Sequence, residues 1–123
     1  MDLELLPQPL AVLRLEPDTA LPDWLSKCAF FSVTRTDDEL SIFCDAAAIP
    51  EQEEKVAGWR AFRVVGQLDL ELPGIIAQLA VPLAGRQISV FSLSTHDTDY
   101  MLVGEAQLAD AQAVLTAAGH RFL

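Results

Sequence analysis

The side chains that could do chemistry gather most densely in one short segment, Thr95-His96-Asp97-Thr98-Asp99. The carboxylates of Asp97 and Asp99 could draw a cation, and a threonine hydroxyl could orient a ligand without adding charge. A hard divalent ion asks for more oxygen ligands from a defined loop, and this segment does not fit the EF-hand pattern, so no metal is expected. His96 and His120 are the only histidines, and no spacing assembles Ser, His and an acid into a triad. Gly74 and Gly85 form neither a G-x-G-x-x-G fingerprint nor a phosphate loop. With no acid-base constellation visible, the chain is expected not to be an enzyme and to need no cofactor. Asp and Thr at this spacing also suit a plain hairpin turn, where they bond their own backbone.

Whatever positions these groups must be one compact fold. The chain has 123 residues, 51% hydrophobic and 21% charged, which is enough apolar material for a buried core and too much for disorder. Its formal net charge is −10, with 8 scattered Lys and Arg against 18 Asp and Glu, so a nucleic-acid partner is not expected. No stretch approaches the roughly 20 apolar residues of a membrane span, and Met1-Asp2-Leu3-Glu4 lacks the basic start of a signal peptide. A cytoplasmic setting follows as the expectation, with no membrane partner. In such a reducing compartment Cys28 and Cys44 read as small buried hydrophobes.

Strand composition recurs along the chain. Pro9 to Leu15 reads as a strand ended by Glu16-Pro17-Asp18, and a short helical turn follows at Pro22 to Leu25. Phe30 to Arg35 and Glu39 to Cys44 flank Thr36-Asp37-Asp38 as a hairpin, and Ala46 to Lys55 reads as a polar connector. Trp59 to Gly66 returns to strand composition. A helix is expected from about Pro73, with Ile75, Ile76, Leu79, Ala80 and Leu83 on its buried face and Pro82 able to kink it. Ile88 to Ser94 and Asp99 to Val103 form a second strand pair around the Thr95 to Thr98 turn. Leu108 to Ala118 reads as a second amphipathic helix stopped by Gly119, with a short last strand at Arg121-Phe122.

An internal repeat relates the two hairpins. Phe31-Ser32-Val33-Thr34-Arg35-Thr36-Asp37 aligns without a gap on Phe91-Ser92-Leu93-Ser94-Thr95-His96-Asp97, an offset of 60. The second half is a complete βαββαβ unit and the first has both helices reduced. The fold expected is therefore α+β and ferredoxin-like, with antiparallel sheets that carry their helices on one face.

The segment Leu72-Pro73-Gly74-Ile75-Ile76-Ala77-Gln78-Leu79, then Pro82-Leu83-Ala84, then Ile88-Ser89-Val90 through Val103, resembles ACT domains. Within that family it is most similar to the tandem-ACT group of the CASTOR arginine sensors and aspartate kinase regulatory domains. The resemblance covers Gly58 to Gly119 closely and the first half loosely. It implies a reduced ACT-like half over residues 1–58 and an ACT domain over residues 59–123. It further implies a non-catalytic regulatory module, commonly a homodimer, that binds an amino acid or similar small molecule between ACT units and can act on a protein partner.

Carried over residue by residue, the resemblance implies a ligand against the loop entering the first helix, at Asp69, Leu70, Leu72, Pro73 and Gly74. Thr95 and Asp99 of the turn face it, and a second ACT unit contributes the residues matching Ser89 and Val90, from the same chain or another. The chemistry suits these places. A helix N-terminus favours an α-carboxylate, a glycine lets a ligand approach the backbone, and an aspartate can pair with an ammonium. Where the arginine sensors carry an acidic residue two positions before the glycine, this chain has Leu72, so a less polar amino acid fits as well as arginine does. The alternative function is an ACT-fold interaction or dimerisation module that takes no small ligand.

Overall fold

The apolar runs become the strands of the computed structural model, which describes residues 1–69 and 71–123. In chain order the elements are β1 (Asp2–Leu5), β2 (Leu10–Leu15), β3 (Phe31–Arg35), β4 (Leu40–Asp45), β5 (Val56–Val64), α1 (Ile75–Gly85), β6 (Val90–Ser94), β7 (Asp99–Gly104), α2 (Leu108–Ala117) and β8 (Arg121–Phe122). Short 3-10 turns occupy Asp23–Lys27, Ala46–Ala48 and Glu105–Gln107. Two compact units result, one of residues 8–58 and one of residues 1–7 with 59–123.

The larger unit runs β5-α1-β6-β7-α2-β8, the ferredoxin-like α+β order expected of it. Its sheet order is β6-β7-β5-β1-β8, with the N-terminal strand inserted between the unit's first and last strands. Leu3 sits opposite Val64 on its antiparallel side and opposite Phe122 on its parallel side. Both helices feed one core. Ile75, Leu79 and Leu83 from α1 and Ala111 and Leu115 from α2 pack with Leu3, Phe62, Val64, Met101 and Val103 of the sheet.

The sequence assigns Ile76 and Ala80 to the same buried face; Ala80 packs against this core, and the structure differs at Ile76. Ala80 is partly buried and Ile76 is 41% exposed. Successive helical residues turn by about 100°, so a stripe centred on positions 75, 79 and 83 swings position 76 away from the core. It turns instead into the site described below.

The smaller unit is an antiparallel β3-β4-β2 sheet with 3-10 turns where full helices would stand. Its core is Ala11, Leu13, Leu25, Leu40, Ile42, Cys44 and Ile49, with Trp24 and Cys28 packed against it. The entry to β3 is fastened by Asp45, whose carboxylate accepts from the Ala29 N–H at 2.8 Å, the Phe30 N–H at 3.2 Å and the Gln8 side-chain amide at 3.1 Å.

The two hairpins do repeat, but with an offset of 59 rather than 60. Phe31 faces Cys44 as Val90 faces Val103, and Arg35 faces Leu40 as Ser94 faces Asp99. Thr36 N–H donates to Glu39 O at 2.9 Å just as Thr95 N–H donates to Thr98 O at 2.9 Å. The phenylalanines that suggested the larger offset therefore stand on opposite pleats, because a one-residue slip exchanges the two faces of a strand.

Both helices end alike. In α1 the Ile88 N–H reaches Leu83 O at 3.0 Å and the Gln87 N–H reaches Ala84 O at 2.9 Å, with Gln87 left-handed at φ 57. In α2 the His120 N–H reaches Leu115 O at 3.0 Å and the Gly119 N–H reaches Thr116 O at 3.0 Å, with Gly119 at φ 99. These are paired 6→1 and 5→2 closures, which satisfy the last carbonyls of a helix. Gly119 is the stop its residue type predicts.

The second closure also places His120 where α1 needs it. Pro82 lies inside α1 and has no N–H for the carbonyl four residues back. That carbonyl belongs to Gln78, and His120 Nε2 lies 3.3 Å from it while its ring is buried. The proline therefore leaves the helix intact to Gly85. Removing the ring in His120→Ala is expected to cost about 0.5–1.5 kcal/mol, the range for losing a part-buried hydrogen bond, seen as a lower urea midpoint. In a Pro82→Ala background the backbone N–H restored at position 82 takes the carbonyl, so the same change should cost less. An equal loss in both backgrounds would show that the carbonyl is not the reason.

Candidate functional site

In the larger unit the loop before α1 and the turn between β6 and β7 enclose a cleft of about 380 Å3. Its walls are Leu68, Asp69, Leu72, Gly74, Ile75, Ile76 and Ala77 on one side and Ser94 through Asp99 on the other. That volume is in the range that holds a small ligand.

Local bonding explains how the turn keeps its shape. The Thr95 hydroxyl donates to Thr98 O at 3.2 Å and accepts from the Thr98 N–H at 3.3 Å. The buried Thr98 hydroxyl donates to Val64 O at 2.7 Å, which moors the turn to β5. Across the cleft, Leu68 N–H donates to Asp97 O at 2.7 Å, so the two walls are tied together at one end. The loop is shaped by Asp69, whose Oδ1 accepts from the Glu71 N–H at 3.0 Å and whose carbonyl accepts from the Leu72 N–H at 3.0 Å.

Gly74 closes the loop. It is left-handed at φ 87 and forms the N-terminal cap of α1, a conformation that a side chain would strain. No side chain caps this helix and its first turn holds no acidic residue. The N–H groups of that turn, with the positive end of the helix dipole, thus suit an anion brought from outside. Facing them is Asp99, half-buried, whose Oδ1 accepts from the Ser94 hydroxyl at 2.7 Å. His96 Nδ1 pairs with Asp97 Oδ1 at 2.9 Å on the exposed rim. An ammonium at Asp99 and a carboxylate at the helix start are the two charges this arrangement can take.

Of the residues singled out in the sequence, Asp69, Leu72, Gly74, Thr95 and Asp99 come together in the cleft. Pro73 lies in the turn between Leu72 and Gly74 without lining the cleft, and Leu70 lies outside the described residues. Ser89 is exposed and Val90 packs toward the core at the far end of β6 from Ser94. Those two could meet a ligand here only from another unit. Leu68, Ile76, Ser94 and Asp97 line the cleft without having been singled out for it. Ile76 was recoverable from the helical angle, whereas the Leu68 to Asp97 tie spans too many residues to show in sequence.

Elsewhere the chemistry is thinner. A second, more open hollow lies among Val12, Leu13, Arg14, Glu54, Lys55 and Val56. Arg14 is already held by Glu16 Oε1 at 3.0 Å and Asp38 O at 2.8 Å. Burial, with Cys28 nearby, pushes the Cys44 thiol up to about 12, and burial also raises Cys28, so neither is a ready thiolate at neutral pH. Trp59 stacks edge-on against Phe91 at 4.8 Å, with its buried Nε1 lacking a partner among the described residues. Among the described residues no three His, Cys, Asp or Glu side chains gather as metal ligands would, and no helix is long and apolar enough to cross a membrane.

Known proteins share this architecture. A family model described as an ACT domain matches residues 54–117, and another, described as an N-terminal domain, matches residues 9–52. A putative human CASTOR protein is 35% identical over 91 residues, 63% of this chain and 56% of its own length. The cytosolic arginine sensor for mTORC1 subunit 1 of Bos taurus is 33% identical over 102 residues, 73% of this chain and 30% of its own length. The chain thus spans only 30% to 56% of these curated relatives. Among solved structures, a protein from Agrobacterium tumefaciens superposes with a TM-score of 0.92 at 35% identity, covering 99% of this chain and 91% of that one. The ligand-free regulatory subunit of Thermus thermophilus aspartate kinase shares the fold, with a TM-score of 0.63 at 10% identity over 90% of this chain and 93% of that one.

Proposed function

This chain belongs to the ACT-domain family, and on that premise we propose that it is a non-catalytic regulatory module that binds an amino acid in the cleft between the start of α1 and the β6–β7 turn. The observation that carries the reading is the pairing, across one cleft, of an uncapped helix start at Gly74 with the half-buried carboxylate of Asp99. A zwitterion presents the two matching charges on one carbon. Glycine at position 74 admits its carboxylate to the backbone, and the Thr95 to Thr98 turn holds Asp99 in place.

The names of the arginine-sensor relatives support amino-acid sensing and a cytosolic setting, which we extend to this chain. Ser89 and Val90 of a second copy complete the site in a homodimer. Regulation then follows from mass action: a ligand that fits the paired state better than the separate one shifts the population toward it, and a protein partner can read that shift. The reduced ACT-like half, with its short 3-10 turns, serves as scaffold.

A thermal-shift screen of the chain against the twenty amino acids tests the proposal. A true ligand at about 100 times its Kd stabilises by about 2.7 kcal/mol, a rise of several degrees in Tm. If none of the twenty moves the midpoint, the sensor reading fails and an interaction module without a ligand takes its place.

A further inference from the structure

We infer that the side chain of the bound amino acid is aliphatic and uncharged, with Leu72 and Ile76 as the residues that select it. The inference rests on the amino-acid reading above and names its specificity. Two of the large apolar side chains left exposed, Leu72 at 51% and Ile76 at 41%, line this one cleft. Leu68, partly buried, and Ile75, buried, extend the same lining. An aliphatic group laid against these four removes apolar surface from water on both partners. A guanidinium or ammonium in the same place loses hydration and gains no partner from them.

The acidic groups of the cleft are each partly engaged within the fold. Asp99 has one oxygen on the Ser94 hydroxyl, and the other is left for a single ammonium. Asp69 spends Oδ1 on the Glu71 N–H, and Asp97 spends Oδ1 on the His96 ring. A guanidinium is held strongly when both oxygens of one carboxylate face its two parallel N–H groups, and each of these carboxylates has one oxygen already accepting a hydrogen bond, which weakens that hold without barring it. The Asp97 and His96 side chains are 67% and 75% exposed, so their field is screened by salt within about 10 Å. The polar half of the cleft therefore matches the α-ammonium and α-carboxylate common to every amino acid. The apolar half distinguishes among them.

Titration calorimetry on the full chain, with L-leucine, L-isoleucine, L-valine and L-methionine against L-arginine and L-lysine, tests this. The expected result is at least tenfold tighter binding of one or more of the aliphatic ligands than of either basic one. Leu72→Glu, at an exposed position where the fold tolerates a charge, should weaken the aliphatic ligand at least tenfold and narrow or reverse its lead over arginine. Equal or tighter binding of arginine or lysine by the unaltered chain overturns the inference and leaves the amino-acid reading standing. Binding of none of the six while another amino acid binds also overturns it, and silence from all twenty removes the reading on which it rests. Unchanged selectivity in Leu72→Glu would place the side chain elsewhere.

Discussion

Asp99→Ala is expected to weaken amino-acid binding about 30- to 150-fold with the fold unchanged. The size follows from losing a hydrogen bond to a charged group, worth about 2–3 kcal/mol where the partner ammonium is left unpaired. The fold should survive because the carboxylate's one described contact is the Ser94 hydroxyl at 2.7 Å, an exposed bond of little structural worth. The hairpin is moored instead by Thr98, which is buried and bonded to Val64 O. Ser94→Ala provides the comparison: it removes the orienting donor and keeps the charge, so its effect should be several-fold smaller. Calorimetry reads the affinities and far-UV circular dichroism the fold. Full-strength binding by the Asp99 variant would mean that the ammonium sits elsewhere.

Those residues were within reach of the sequence because their constraints are local. A threonine that closes a four-residue turn and a glycine before an apolar helix each act over a handful of positions, although the helix expected from about Pro73 begins only at Ile75, because the left-handed Gly74 is its cap. The same holds for Gly119, whose left-handed stop the residue type alone implies. What could not be read there depends on partners distant in the chain. Asp2 to Leu5 is a strand because β5 and β8 flank it, and its four residues, two of them acidic, carry little strand signal of their own. The repeat slipped by one because matching phenylalanines outweighed the turn bonds, which only coordinates display. The role of His120 was equally hidden, since an orphaned carbonyl at Gln78 is a property of Pro82 and the ring that answers it lies 42 residues away.

The same non-local packing makes Phe62→Ala the substitution with the largest expected cost to stability. Phe62 is fully buried, sits opposite Leu5 of β1 and Met101 of β7, and meets the Phe122 ring edge-on at 5.5 Å. Its side chain therefore joins strands from the beginning, middle and end of the chain, beneath α1 and α2. Truncation removes the buried ring and leaves a cavity that flanking strands, held by their ladders, close only in part, for about 3–5 kcal/mol. Domains of this size commonly hold about 5–15 kcal/mol in all, so the urea midpoint should fall by about a fifth or more. The cleft is built on this core through Ile75 and the Thr98 to Val64 bond, which gives the experiment a second arm. A saturating amino acid at about 100 times its Kd should return about 2.7 kcal/mol to the Phe62 variant, because binding requires the folded larger unit. Leu13→Ala, in the core of residues 8–58, tests whether the two units unfold together: the ligand restores that variant equally if they are coupled, and not at all if the smaller unit melts alone.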